Sequence, residues 1–414
     1  MYERQDMIKR TIEKYIIESL DLYPVIVITG PRQVGKSTLV YNMKDIYGFN
    51  YVSLDDIDNR RQAIEDPKLF IQFHGYPLII DEVQYAPGLL EVIESICNQA
   101  RLTQETSTGL FVLTGSHAFN LMKNVTQSLA GRATVISMSP LSANEISSKE
   151  EKPFHVDIDL LNKKFEYKDV NQIFKEIHKG YYPELFNQRN HSIEKYYSDY
   201  IKTYIDRDIS EIIKVKDGLK FHNFMQIIAS LTGKELNYHN ISKSVEVDDK
   251  TIKSWISVLE TSGLIYLLQP YNDRSINKRV VKSPKIYFSD TGLASYLIRI
   301  KDPETLMVSN FSGAFMETMV INEIRKSYLN NNKDFHAYYY RDNNQNEIDL
   351  ILLENAEITM IEVKKGVSFS LSDVTSFKQL AGSQYKIGYS CIICNTEKNY
   401  PISKNIGVIS VNSI

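Results

Sequence analysis

Val25-Ile-Val-Ile-Thr29 runs straight into Gly30-Pro-Arg-Gln-Val-Gly-Lys-Ser-Thr38, and Leu39 to Ile46 then reads as a helix. No other feature constrains the fold as tightly. A β-branched run of this kind suits a strand covered on both faces, which predicts a parallel α/β layer. The loop matches GxxxxGK[ST], where two glycines let the backbone curl until its N–H groups point at phosphate oxygens. Gly30, Pro31, Arg32, Gln33, Val34, Gly35, Lys36, Ser37 and Thr38 are therefore the expected nucleotide cradle. Lys36 is expected to reach the β- and γ-phosphates and Ser37 to ligate Mg²⁺, while the helix N-terminus adds positive potential.

A second strand, Tyr76-Pro-Leu-Ile-Ile, ends in Asp81-Glu82, at the carboxyl edge where open α/β sheets bind ligands. Asp81 is expected to hold the Mg²⁺, directly or through water, and Glu82 to act as general base on the attacking water. A third apolar run, Leu110-Phe-Val-Leu-Thr-Gly-Ser116, brings Thr114 or Ser116 beside the γ-phosphate; a strand–helix turn with a cap reads as well. Arg132 closes Ser128-Leu-Ala-Gly-Arg132, just before the strand Thr134-Val-Ile-Ser-Met138. At a domain edge it is either an arginine finger for a neighbouring subunit or a structural arginine paired at home.

Taken in series, GPRQVGKST, Asn50-Tyr-Val-Ser-Leu-Asp-Asp56, Asp66-Pro67, LIIDEVQ, LTGS and SLAGR resemble the bacterial and archaeal AAA-superfamily ATPases that carry a recurrent C-terminal region. Gly180-Tyr-Tyr-Pro-Glu184, Arg207-Asp208-Ile209, Asn346-Glu-Ile-Asp349 and Ile361-Glu-Val-Lys364 are the counterparts of later segments of that family. The resemblance spans essentially the whole chain and implies ATP binding and hydrolysis.

Ser147 to Asp169 is charged and aperiodic and reads as a linker; Val170 to Leu219 reads as helical, the natural place for a lid. From Phe221 the pattern is helix, helix, helix, hairpin. Ile252, Trp255, Ile256 and Leu259 form one amphipathic stripe, with Lys250, Lys253, Ser254 and Ser257 opposite, and Gly263 stops the helix. This is the outline of a winged helix-turn-helix. Its wing would hold Arg274, Lys278, Arg279, Lys282 and Lys285 with no acid among them, which suits phosphate contact. A solvated hairpin used only for packing is the bland alternative.

Glu347-Ile-Asp-Leu-Ile-Leu-Leu353 and Glu357-Ile-Thr-Met-Ile-Glu-Val-Lys364 alternate about Asn355-Ala356. A two-residue turn there sets Leu353 opposite Ile358, Asp349 opposite Glu362, and Lys364 on the same face. Ala314, Glu317, Val320, Ile321 and Ile324 form a helical stripe upstream. An inward helix acid, then D, then ExK resembles the PD-(D/E)XK nuclease fold. That resemblance implies Mg²⁺ on Asp349, Glu362 and Glu317, with Lys364 orienting water. A salt bridge of Lys364 with Asp349 or Glu362 needs no metal.

At 414 residues the chain is too long for one core of about 150 residues. We expect an α/β protein of four segments: a P-loop AAA-type ATPase domain over 1–146, linker and lid over 147–219, a winged helix over 220–288, and a nuclease-like α/β domain over 289–414. Lys plus Arg is 48 against 51 Asp plus Glu, a net charge of −3, so any nucleic-acid surface is a local patch. No apolar stretch reaches the roughly 18 residues of a membrane span, and the charged start lacks a signal peptide's apolar run. Three cysteines make no disulfide framework, so a cytoplasmic setting is the expectation. Cys391 and Cys394 read as buried strand residues rather than ligands. ATP and Mg²⁺ are the expected cofactors, and nucleic acid (DNA before RNA) with further copies of the chain the expected partners. The leading reading is an ATPase that binds or remodels nucleic acid; a nucleotide-dependent switch with an inert rear domain and an ATP-gated nuclease are the alternatives.

Overall fold

The computed structural model describes residues 8–103, 107–115, 128–187, 192–209, 217–272 and 283–414. It is a mixed α/β molecule. The N-terminal sheet has five strands, β1 (Val25–Thr29), β2 (Asn50–Ser53), β3 (Leu78–Asp81), β4 (Phe111–Thr114) and β5 (Ala133–Ser137), in the order β2-β3-β4-β1-β5 and all parallel. Strand β1 is buried at every position, as its unbroken β-branched run requires. Its side chains alternate between two cores: Val25 and Val27 pack on one side of the sheet, Ile26 and Ile28 on the other. The first side is closed by the helix Leu89–Thr103, through Leu89, Leu90, Ile93 and Cys97. On the second side Ile26 and Ile28 join a cluster with Leu39, Val40 and Met43 of the following helix that extends to residues from the middle and C-terminal stretches of the chain.

The stretch read as a linker is pinned down. Phe154 and Val156 enter the shared core, and the amides of Asn330 and Asn331 donate to the Glu151 side chain and carbonyl at 2.8 and 3.2 Å. Helices Val170–Lys179 and Ile193–Tyr200 come after it, the second continuing as a π-helix over Ile201–Ile209. Helices Gly218–Ser230, Tyr238–Val245 and Asp249–Thr261 come next, with the short β6 (Lys234–Glu235) after the first of them. Asp248 caps the last, accepting from Thr251 N at 2.8 Å, and its apolar stripe buries Trp255 edge-on against Phe221 and Phe224. The hairpin β7 (Ile265–Pro270) and β8 (Lys285–Phe288) closes this unit, with β6 on the far edge of β8.

Strands β9 (Ala337–Arg341), β10 (Glu347–Glu354), β11 (Glu357–Val363), β12 (Lys386–Ile387), β13 (Ser390–Cys394), β14 (Tyr400–Ser403) and β15 (Ile406–Ser410) complete a mixed sheet of ten strands. Parallel pairing of Gln269 and Pro270 on β7 with Tyr338 and Tyr339 on β9 carries it across position 288 without a break. Between β10 and β11, Asn355 and Ala356 have φ of 49° and 60°, as a tight hairpin turn with both central residues left-handed demands. Leu353 pairs Ile358 and Ile351 pairs Met360, the register the turn predicts. Cys391 and Cys394 lie buried on β13, and desolvation pushes the Cys394 thiol up to about 12. Among the described residues no helix is long and apolar enough to cross a membrane.

Candidate functional site

The curl after β1 is built from left-handed backbone. Gly30, Gln33 and Gly35 have φ of 138°, 64° and 96°, and a Cβ on Gly30 would lie 2.1 Å from the Met138 carbonyl oxygen on the neighbouring strand's end. Only glycine fits there. Gly35 leads into the helix Lys36–Tyr47, so the helix N-terminus opens onto the loop. Lys36 is buried at 4% exposure, and its Nζ donates to the carbonyls of Gly30 and Pro31 at 2.9 and 2.8 Å. Desolvation lowers its pKa to about 8, with Glu82 and Asp81 opposing the shift.

Strand β3 delivers Asp81 to the same place. Ser37 Oγ donates to Asp81 Oδ1 at 2.9 Å, and Tyr51 from β2 donates to Oδ2 at 3.2 Å. The Thr114 hydroxyl on β4 also donates to Asp81 Oδ1 and accepts the backbone N–H of Glu82 at 3.2 Å. Thr114 thus braces both acids. Glu82 sits at φ 56°, a left-handed conformation costing about 1–3 kcal/mol for a residue other than glycine; the Gln84 amide donates to its carboxylate. Ser37 and Asp81, one hydrogen bond apart, offer the hydroxyl and carboxylate oxygens that Mg²⁺ takes. Ser116 lies outside the described residues. Arg132 is held at home: it donates to Asn98 Oδ1 at 2.7 Å and to the Ala130 carbonyl at 3.0 Å, and pairs with Glu94 at 3.3 Å.

Three further residues support the loop. Arg10 donates to the Val34 carbonyl at 2.7 Å and to the Ser139 carbonyl at 2.7 Å, and pairs with buried Glu145 at 3.1 Å. The Tyr200 hydroxyl reaches the Arg32 carbonyl at 3.5 Å. Gly263 packs on Pro31, where an added Cβ would come within 2.9 Å of the ring. Nothing local in the sequence marks Arg10 or Tyr200; Gly263 carries a helix-stop signal but no sign of its contact.

The second cluster lies on the C-terminal sheet. Glu317, Glu347, Asp349, Glu362 and Lys364 face one pocket of about 490 Å³. Asp349 Oδ2 accepts Val363 N at 2.8 Å, which locks the two strands together beyond the Leu350–Ile361 pair. Lys364 Nζ donates to Glu362 Oε1 at 2.7 Å. Lys285 belongs here, not on a wing. It is 2% exposed, and its Nζ lies 2.6 Å from Glu347, 3.1 Å from Glu317 and 3.6 Å from Asp349. The other wing candidates, Arg274, Lys278, Arg279 and Lys282, fall outside the described residues. Burial raises the Glu317 and Glu362 carboxyls to about 7 and about 8, against the pull of Lys285 and Lys364. Among the described residues no group of three or more His, Cys, Asp or Glu is placed to hold a metal ion; Glu317, Asp349 and Glu362 face the same pocket.

Residues 22–147 match the family model described as an AAA domain; residues 170–304 and 312–414 match two domains of unknown function (DUF8612 and DUF4143). An uncharacterized protein of Mycobacterium tuberculosis is 23% identical over 416 residues, covering 100% of this chain and 85% of its own. An uncharacterized protein of Methanocaldococcus jannaschii is 24% identical over 319 residues, 68% of this chain and 64% of its own. The Walker-type ATPase of Pyrococcus abyssi is similar in structure at 14% identity, over 71% of this chain and 97% of that one, with a TM-score of 0.39. The chain is thus a P-loop protein with an AAA domain in front and a C-terminal region of unknown function behind.

Proposed function

We propose that the chain binds and hydrolyses ATP at the loop Gly30–Thr38 and couples turnover to nucleic acid held by the modules behind it. The observation that carries this is the bracing of Asp81 and Glu82 by Ser37 and Thr114 at the carboxyl end of the sheet. In this reading the loop's N–H groups hold the phosphates, and Lys36 leaves its own loop carbonyls for phosphate oxygens. Mg²⁺, held by Ser37 and Asp81, would neutralise charge on the phosphates when bound. Glu82 orients a water and takes its proton. Arg132 serves a neighbouring subunit only by giving up Asn98 and Glu94, so an oligomer that uses it must rearrange that corner.

The helix order before β7, the short β6 and the exposed face bearing Lys250 and Lys253 support a winged helix-turn-helix over 220–288 as the nucleic-acid module. The β10–β11 hairpin over the Ser312–Leu329 helix supports a nuclease-like fold over 289–414. Contacts of Tyr200 and Gly263 with the phosphate loop give the nucleotide site a route to those modules. The test is turnover with and without duplex DNA. Stimulation by DNA that vanishes in Lys36→Ala and Glu82→Gln is expected. Slow turnover indifferent to DNA would leave a nucleotide-dependent switch in its place.

A further inference from the structure

A metal ion is what the D…ExK resemblance asks of the C-terminal pocket, and the side chains there do not fit one. The reason is Lys285. It arrives from β8, a strand of the preceding unit, opposite Leu268 on β7 and Glu235 on β6. Its ammonium is within 4 Å of three carboxylates and lies 5.4 Å from the centre of the Tyr339 ring. Tyr287, two residues along the same strand, donates to Glu317 Oε1. Asp349 spends its other oxygen on Val363 N, and Lys364 holds Glu362 Oε1.

A divalent cation sits about 2.0–2.6 Å from its carboxylate oxygens. An ion shared by Asp349 Oδ1 and Glu317 Oε1 would therefore lie within a few ångströms of Lys285 Nζ, which stands 3.6 and 3.1 Å from those same atoms. Two cations at such spacing repel, the more so because Lys285 itself is buried. The acids are already compensated, as buried carboxylates must be.

We infer that Lys285 is a resident counter-ion standing where a divalent cation would otherwise sit. The pocket is an electrostatic clasp that ties β8 to β10 and to the helix Ser312–Leu329 and excludes metal while Lys285 is seated. Asp349 and Glu317 are positioned as partners of that ammonium. One oxygen of the same pocket, Glu362 Oε2, is buried with no hydrogen-bond partner, so one acceptor there is left for a cation to use. Nothing in this clasp depends on ATP turnover.

Mn²⁺ binding to the full chain without nucleotide, followed by depletion of the free-ion electron paramagnetic resonance signal, tests it directly. The wild type should show no Mn²⁺ binding that Asp349→Asn removes. Lys285→Met should gain such binding, at least about tenfold tighter, and lose it again when Asp349→Asn is added. Wild-type binding that disappears with Asp349→Asn overturns the inference without any variant at 285. A folded Lys285→Met that stays blind to Mn²⁺ overturns it too. Should the methionine variant fail to give a native circular dichroism spectrum, Lys285→Gln makes the same comparison: gained binding supports the clasp and continued blindness overturns it.

Discussion

Lys36 has to carry its charge to meet a phosphate, yet the fold buries it. Its pKa in the folded protein is about 8, below the roughly 10.4 of a free lysine. Between those values the unfolded chain binds more protons than the folded one. The nucleotide-free protein therefore gains stability as pH rises through that window, while affinity for triphosphate falls, because the ammonium is the form that binds. Equilibrium titration with a fluorescent ATP analogue should show binding weakening above pH 8 toward tenfold per unit; a flat profile from pH 7 to 9.5 would contradict it. Glu82 makes the opposite kind of demand. Thr114 holds its left-handed backbone through the N–H and Gln84 holds its carboxylate, so the side chain is fixed in place without a ligand. Glu82→Gln should keep nucleotide binding and lower turnover about 100-fold or more. Equal loss of both would show that the residue holds the loop instead.

Two elements decide how the sites respond to change. The phosphate loop leans on the turn after the Asp249–Thr261 helix, where Gly263 has φ 72° and touches Pro31. Gly263→Ala should cost about 1–3 kcal/mol in backbone strain and also weaken nucleotide binding as Pro31 is displaced. Gly131→Ala, at φ 72° with open space beside it, should cost the strain alone; thermal melts and ATP titrations of the pair separate the two effects. The acid pocket between the β10–β11 hairpin and the Ser312–Leu329 helix has a different signature. Glu317 and Glu362 hold their protons to about 7 and 8 in the folded protein, well above an unfolded glutamate near 4.3. Between the unfolded and folded values the folded state binds more protons, so these groups stabilise at low pH and that contribution fades as pH rises toward 8. Melting temperature measured from pH 5 to 8 should therefore decline more steeply in the wild type than in Glu362→Gln.

At the scale of the molecule, one core joins what the sequence divides. Ile26 and Ile28 of the first strand share it with Trp255, Ile321 and Ile409, so the front sheet and the modules behind it are packed as one body. Polar contacts trace the same seam: Tyr197 donates to Asp290 at 2.7 Å, Lys326 to the Leu141 carbonyl at 2.8 Å, and Tyr328 to the Phe154 carbonyl at 2.9 Å. Arg10 and Glu145, 6% and 0% exposed, lie between the phosphate loop and that seam. Glu145→Ala strands a buried guanidinium and should cost about 3–5 kcal/mol, read as a lowered denaturant midpoint.

Local chemistry was enough for the phosphate loop, the acid-tipped strand and the β10–β11 register. Each depends on neighbours within a few residues: glycines that permit a curl, β-branched runs that need cover, a turn whose two residues set every pairing beyond it. Lys285 shows where that logic stops. In sequence it closes a run of basic residues and reads as part of an exposed wing. In the fold, pairing of β7 with β9 brings it over Glu317, Glu347 and Asp349, and burial forces an ion pair where a solvated charge was expected. Arg10, Tyr200 and Gly263 obey the same rule. Their roles depend on which distant backbone they meet, and a side chain carries no record of that until the sheets are packed.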